Sequence, residues 1–120
     1  MEELHTLRCR ACRGDEPALS EEEIRSYLEL VEDWELDDSK RIPKITKRFS
    51  FPDFRGALDF TTQVGEAAEE QDHHPRLTTE WGRVKVTWWT HKIEGLHQND
   101  FIMAAKSDRI YRALQEGEGG

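Results

Sequence analysis

No stretch of this chain is apolar for long enough to cross a bilayer as a helix, which takes about 20 such residues. Its start, Met1, Glu2 and Glu3, lacks the basic residues and apolar run of a secretory leader, so a cytoplasmic location is expected. Cysteine is scarce. Cys9 and Cys12 form C-R-A-C, and no second such pair exists to complete a zinc ribbon. A reducing compartment disfavours a structural disulfide, which leaves half a metal site, a redox pair or, the favoured reading, incidental thiols on a mobile arm. Positive charge is also short. Lys and Arg number 17 against 25 Asp and Glu, a net charge of -8, so neither nucleic acid nor an anionic membrane surface is expected as the main partner. Glycine-rich phosphate cradles and the serine-hydrolase elbow do not occur.

What is present is a patterned apolar set. Hydrophobic residues make up 36% of 120, enough for one domain that buries roughly two-thirds of its unfolded surface. Residues 1–17 read as a flexible arm, 18–115 as the domain and 116–120 as a disordered tail. Ser20 with Glu23 is a capping-box pattern that opens a helix over 21–32, with Ile24, Leu28 and Val31 as its apolar stripe. A strand begins at Trp34, and Asp37, Asp38 and Ser39 make a turn. A second strand spans 42–51, with Ile45, Phe49 and Phe51 on one face and Lys44, Thr46, Arg48 and Ser50 on the other. Asp53 starts a central helix, 53–71. Strands at 76–80 and 83–91 follow, the second alternating Val84, Val86 and Trp88 with Lys85, Thr87 and Trp89. A last helix covers 98–115. The order α-β-β-α-β-β-α predicts an α+β fold, a four-stranded antiparallel sheet with helices packed on one face.

The chemistry concentrates in E-E-Q-D-H-H-P, Glu69 to Pro75, with His91 further on. Two adjacent histidines before a proline cannot face one way in a regular element, because Pro75 biases His74 away from helical geometry. The pair therefore belongs at an element boundary. Histidine exchanges protons near neutral pH without a large environmental shift, so His73, His74 and His91 form a candidate proton-transfer site. A zinc site made by the same three is the alternative. His5 reads as solvated or structural and His97 as a loop or capping residue. Asp100, in the first turn of the last helix, reads first as a complement to the helix dipole and second as a catalytic group. Trp81, Trp88 and Trp89 could stack on a flat ligand, but strand aromatics more often belong to a core or an interface.

The combination of Glu69, His73, His74 and Pro75 in E-x-x-x-H-H-P, an aromatic at Trp81, Thr90 with His91, and Asp100 resembles the pterin-4a-carbinolamine dehydratases. Asp53, Phe54, Ala57 and Phe60 match that family's central-helix entry, Trp34 its first-strand tryptophan, and C-x-x-C-R-G with L-S-E-E-E-I the leader of many bacterial members. The likeness covers about residues 7–112. Two positions depart: Leu77 where some members carry an aromatic, and His97 where many carry Ser or Thr. The resemblance implies dehydration of a 4a-hydroxytetrahydropterin to the quinonoid dihydropterin, in the recycling that follows aromatic amino-acid hydroxylation. It implies His73, His74 and His91 as catalytic residues, and Glu69, His73, His74, Pro75, Thr90, His91 and Lys92 as the pterin-binding set. Asp100 and Trp81 would support them. It implies no metal and no organic cofactor, a homodimer or homotetramer, and a functional link to a hydroxylase. The competing reading on the same fold is a non-catalytic assembly or dimerisation factor.

Overall fold

The computed structural model describes residues 4–10 and 16–119, so Cys12, and with it the C-R-A-C pair as a pair, lies outside the described residues. The elements are α1 (Glu21–Leu28), β1 (Glu35–Asp37), β2 (Lys44–Ser50), α2 (Phe54–Gln71), β3 (Arg76–Glu80), β4 (Arg83–Trp88) and α3 (Gln98–Gly119). The four strands form one sheet in the order β1-β2-β4-β3, every neighbouring pair antiparallel. This is the expected α+β order.

Local chemistry sets the element ends. Ser20 and Glu23 form the full capping box on α1, each side chain bonding the other's backbone N–H. Asp53 caps α2 by accepting from the Gly56 N–H at 2.9 Å. The register pairs Ile45 with Trp88, Lys47 with Val86 and Phe49 with Val84, which puts these residues on one face of the sheet. On that face Ile45, Val84, Val86 and Trp88 are fully buried against Ala57, Phe60 and Val64 of α2 and Phe101 and Ala104 of α3. Side chains of this size each contribute about 1.5–3 kcal/mol on burial, so this face carries the stability.

Three boundaries differ from the sequence expectation by three or more residues. Helix α1 stops at Leu28, and two turn hydrogen bonds, Leu30 N–H to Tyr27 O and Val31 N–H to Leu28 O, carry Val31 inward without a further helical turn. Strand β4 ends at Trp88 rather than at 91, because Thr90 pairs back onto Gly95 and His91–Ile93 form a 3-10 turn. Helix α3 continues to Gly119, past the expected 115.

The segment before α1 is docked where it is described. A 3-10 turn at Leu4–Thr6 lies along α3, where Lys106 donates to the His5 carbonyl at 2.9 Å. The Cys9 N–H donates to Gln71 Oε1 at 2.8 Å, and Leu19 N–H to the Leu96 carbonyl at 2.9 Å. Ala18 approaches Gly95 so closely that a Cβ on Gly95 would lie 2.7 Å from the Ala18 Cβ. Glycine is required there for contact, not for conformation.

Candidate active site

Helix α2 ends in a Schellman motif. Asp72 takes the left-handed conformation at φ 53°, its N–H bonds the Glu69 carbonyl, and the His73 N–H bonds the Ala68 carbonyl. No glycine marks this stop. The motif fixes the His73 backbone and turns its ring inward, where it stacks on Trp88 with ring centroids 5.7 Å apart and planes 7° from parallel. His73 is buried, and its Nε2 lies 2.6 Å from Asp100 Oδ1.

Asp100 is the hub. Its carboxylate is fully buried and accepts three times: from His73 Nε2–H, from the Thr90 hydroxyl at 2.8 Å and from the His97 N–H at 2.9 Å. The last bond is one half of a capping arrangement on α3. The other half is His97 itself, whose Nδ1 accepts from the Asn99 N–H at 3.0 Å, the place usually taken by Ser or Thr. The sequence preference for a helix-dipole role at Asp100 is thus incomplete, since the same carboxylate fixes the His73 ring. Because a carboxylate only accepts, Nε2 of His73 carries the proton and neutral His73 keeps its lone pair on Nδ1. That atom has no hydrogen-bond partner among the described residues and no buried side-chain atom there goes unsatisfied, so Nδ1 opens to solvent.

The other histidines sit at the rim. His74 Nε2 lies 2.8 Å from Glu69 Oε1, both exposed. His91 begins the 3-10 turn after β4, exposed, its ring 4.5 Å from that of Trp89. Trp89 is held from its other neighbours by Lys44 and Arg76, whose cationic groups lie 5.1 and 5.0 Å from its ring. Among the described residues no three His, Cys, Asp or Glu are grouped as metal ligands would be.

A cavity of about 350 Å³ gathers His73, His74, Thr90, His91 and Lys92, with Gln71, Asp72 and Asn99 beside them. Its size falls near the lower end for small-molecule sites. Cys9 and Arg10 of the N-terminal segment line it too. Glu69 reaches the site only through His74, and Pro75 turns the chain without lining the cavity. Trp81 stands apart at the β3–β4 turn, 71% exposed and five or more strand residues from the cavity. A larger groove of about 610 Å³ lies elsewhere, around Lys47, Asp108 and Arg112. Size alone does not choose the site; the convergence of histidines does. Gln71 and Asp72 lie inside E-E-Q-D-H-H-P and Cys9 and Arg10 inside C-R-A-C, but neither motif marked them as lining residues, and Asn99 had no motif signal at all.

A family model described as "Pterin 4 alpha carbinolamine dehydratase" matches residues 17–110, and the chain belongs to that family. A protein of Nitrosococcus oceani, provisionally named pterin-4-alpha-carbinolamine dehydratase, is 50% identical over 112 residues, covering 93% of this chain and 99% of its own. One of Microcystis aeruginosa with the same provisional name is 48% identical over 112 residues, 93% and 97% covered. Among solved structures, a transcriptional coactivator/pterin dehydratase from Brucella melitensis superposes with a TM-score of 0.72 at 35% identity, covering 78% of this chain and 97% of that one. A pterin dehydratase-like protein described as a RuBisCO assembly factor of the alpha-carboxysome shares the fold, with a TM-score of 0.56 at 20% identity over 66% and 89% of the two chains. Among the described residues no helix is long and apolar enough to cross a membrane.

Proposed function

We propose that this protein dehydrates a 4a-hydroxytetrahydropterin to the quinonoid dihydropterin and water, recycling a tetrahydrobiopterin-type cofactor by histidine acid/base catalysis. The observation that carries the reading is the Asp100-held His73, a buried imidazole of fixed tautomer with one nitrogen open to a cavity. In the reaction the C4a–O bond breaks and the N5–H proton leaves, so that N5 and C4a become doubly bonded. One group must protonate the departing oxygen and another must take the N5 proton. Nδ1 of His73 suits the second task, because Asp100 stabilises the imidazolium that forms. His91, exposed across the same cavity, suits the first. His74, steadied by Glu69, holds the pterin together with Thr90 and Lys92. No organic cofactor enters, since the ring nitrogen supplies the electron pair that expels the oxygen.

An aromatic amino-acid hydroxylase is the reaction class that supplies this substrate. A homodimer or homotetramer is the expected assembly, and the partly exposed Phe54 and Leu58 on one face of α2 would suit such packing. The same exposed residues are what favours the second reading, an assembly or dimerisation factor without catalysis.

The test is stopped-flow dehydration of 4a-hydroxytetrahydropterin made in situ by a phenylalanine hydroxylase. Acceleration by the wild type is expected, with a loss of about 10²–10⁴-fold in His73→Ala and in His91→Ala. No acceleration by folded wild type would sink the dehydratase in favour of the second reading.

A further inference from the structure

The family model's match begins at residue 17, so the segment that closes one side of the cavity lies before the matched domain. That segment is clamped at several points. The Asn99 side-chain amide is buried and spent entirely on the Arg10 backbone, accepting from its N–H at 3.1 Å and donating to its carbonyl at 2.7 Å. Gln71 takes the Cys9 N–H one residue earlier. Further along, Glu16 Oε2 lies 2.8 Å from His97 Nε2. Because His97 Nδ1 accepts from Asn99, its Nε2 bears the proton and donates to Glu16. Arg10 Nη2, 3.4 Å from that same nitrogen, therefore gains no hydrogen bond there, and its contact with Glu16 at 3.9 Å is long and exposed. The backbone of Arg10 is fixed while its guanidinium stays available.

Two fixed positive charges meet at the cavity of an acidic chain. The protein carries a net -8, yet two of the residues that line the cavity are fixed cations, Arg10 and Lys92, against one exposed carboxylate of the lining, Asp72, with Glu69 spent on His74 and Glu16 on His97. Lys92 has no hydrogen bond or ion pair among the described residues. A pterin ring is neutral and does not call for two cations. What they complement is a negative charge carried elsewhere on the ligand, and paired cations at a cleft raise the local concentration of such a ligand.

We infer that Arg10 from the N-terminal segment and Lys92 from the turn after β4 form a subsite for an anionic substituent, a phosphate or carboxylate, on the side chain of the pterin. The inference rests on the proposed pterin site and adds a substrate class to it. The test is binding rather than turnover. Calorimetric titration compares two 7,8-dihydropterins with the same ring and the same C6 polyol chain, one bearing a terminal phosphate. The wild type is expected to bind the phosphorylated compound about tenfold more tightly at low salt, with the preference shrinking as salt rises. In Arg10→Gln and in Lys92→Gln the ratio of the two Kd values should move toward one. Taking a ratio cancels any general weakening, and the salt dependence of the wild type remains decisive if a variant does not fold. Equal Kd values in the wild type, or a preference that survives both substitutions, overturns the subsite. A preserved preference in a protein that shows no dehydration would uphold the subsite and overturn only the catalytic reading. Failure of the folded wild type to bind either compound overturns both.

Discussion

Helix α3 turns two carboxylates inward, Asp100 fully buried and Asp108 half-buried, a little over two turns apart, and only one of them makes a site. Asp100 joins three separate elements and ends on an imidazole with a nitrogen open to a cavity. Asp108 is tied just as firmly: Lys47 donates to Oδ1 at 2.8 Å and the Trp34 indole to Oδ2 at 3.0 Å. Lys47 also donates to the Glu32 carbonyl and lies 5.0 Å over the Phe49 ring. Both partners of Asp108 are thus turned to packing inside the fold. The Asp108 cluster borders the larger groove, but it functions as a clasp between β2 and α3. A buried charge marks a functional site when its partner faces a ligand, and marks packing when its partners are all internal.

The largest expected effect divides these two carboxylates. Asp100→Asn should lower kcat/KM by 10²-fold or more, because the amide can present an N–H to His73 and reverse the tautomer that exposes Nδ1. Asp108→Asn should leave kcat/KM within about twofold while lowering Tm. Dehydration kinetics and thermal melts on the two variants check this. Equal losses of activity would erase the distinction between the two carboxylates.

Cys9 reports from the Asp100 end. Burial pushes its thiol from 9.0 up to about 11, Lys106 pulls the other way, and the Asp100 charge adds to the rise. At pH 8 that leaves about 100-fold less thiolate than an exposed cysteine. The higher intrinsic nucleophilicity of such a thiol recovers about tenfold. Alkylation of Cys9 in the folded protein, followed by peptide mass spectrometry, should therefore run about tenfold slower than in denaturant, and somewhat faster in Asp100→Asn than in wild type. Equal rates in folded and denatured protein would show that the segment leaves its clamp.

Opening the Asp108 clasp should cost stability with a defined pH dependence. Burial raises the Asp108 carboxyl above 3.8, with Lys47 and Trp34 opposing the shift. In the native state it therefore holds its proton to higher pH than in the unfolded chain, so stability falls as pH rises through that window. The cost of ionising it is full above the native value and absent below 3.8. Lys47→Met removes the largest opposing partner, widens the window and strips the pair. The expected loss is about 1–3 kcal/mol at pH 7, below that of a fully buried pair because both side chains keep some exposure, and it should be smaller near pH 4. Urea titrations at the two pH values measure it.

Much of this was legible in the order of residues. The alternation of Ile45 and Phe49, and of Val84, Val86 and Trp88, fixes one face of the sheet, and the Ser20–Glu23 spacing fixes the start of α1. The histidine motif marked side chains that do line one cavity. Other features were hidden for physical reasons. Asp72 stops α2 in a conformation that glycine usually signals, and nothing in D-H-H announces it. Asp100 looked like a dipole complement because two of its three donors come from positions 73 and 90, which only the fold brings to it, while the third, His97, is a local capping contact. Cys9, Arg10 and Glu16 lie in a stretch without periodicity, and their hydrogen bonds are to backbone and polar groups, which leave no hydrophobic pattern.

The smallest expected effect concerns His97, which does two things where Ser or Thr would do one. As an N-cap it accepts from the Asn99 N–H, and as a donor it holds Glu16 of the N-terminal segment. His97→Ser should keep the first role, since a serine hydroxyl is a strong cap, and lose the second. His97→Ala should lose both, at a further cost of about 1 kcal/mol. The difference between the two variants in a urea titration then isolates the cap. The difference between wild type and His97→Ser isolates the latch, expected at well under 1 kcal/mol because Glu16 is partly exposed. A weak latch can still matter to binding, since it holds in place a wall that the ligand needs. If His97→Ser binds a dihydropterin severalfold more weakly while its stability barely moves, the segment belongs with the Asp100 end of the molecule. If affinity and stability fall together, it is packing, like Asp108.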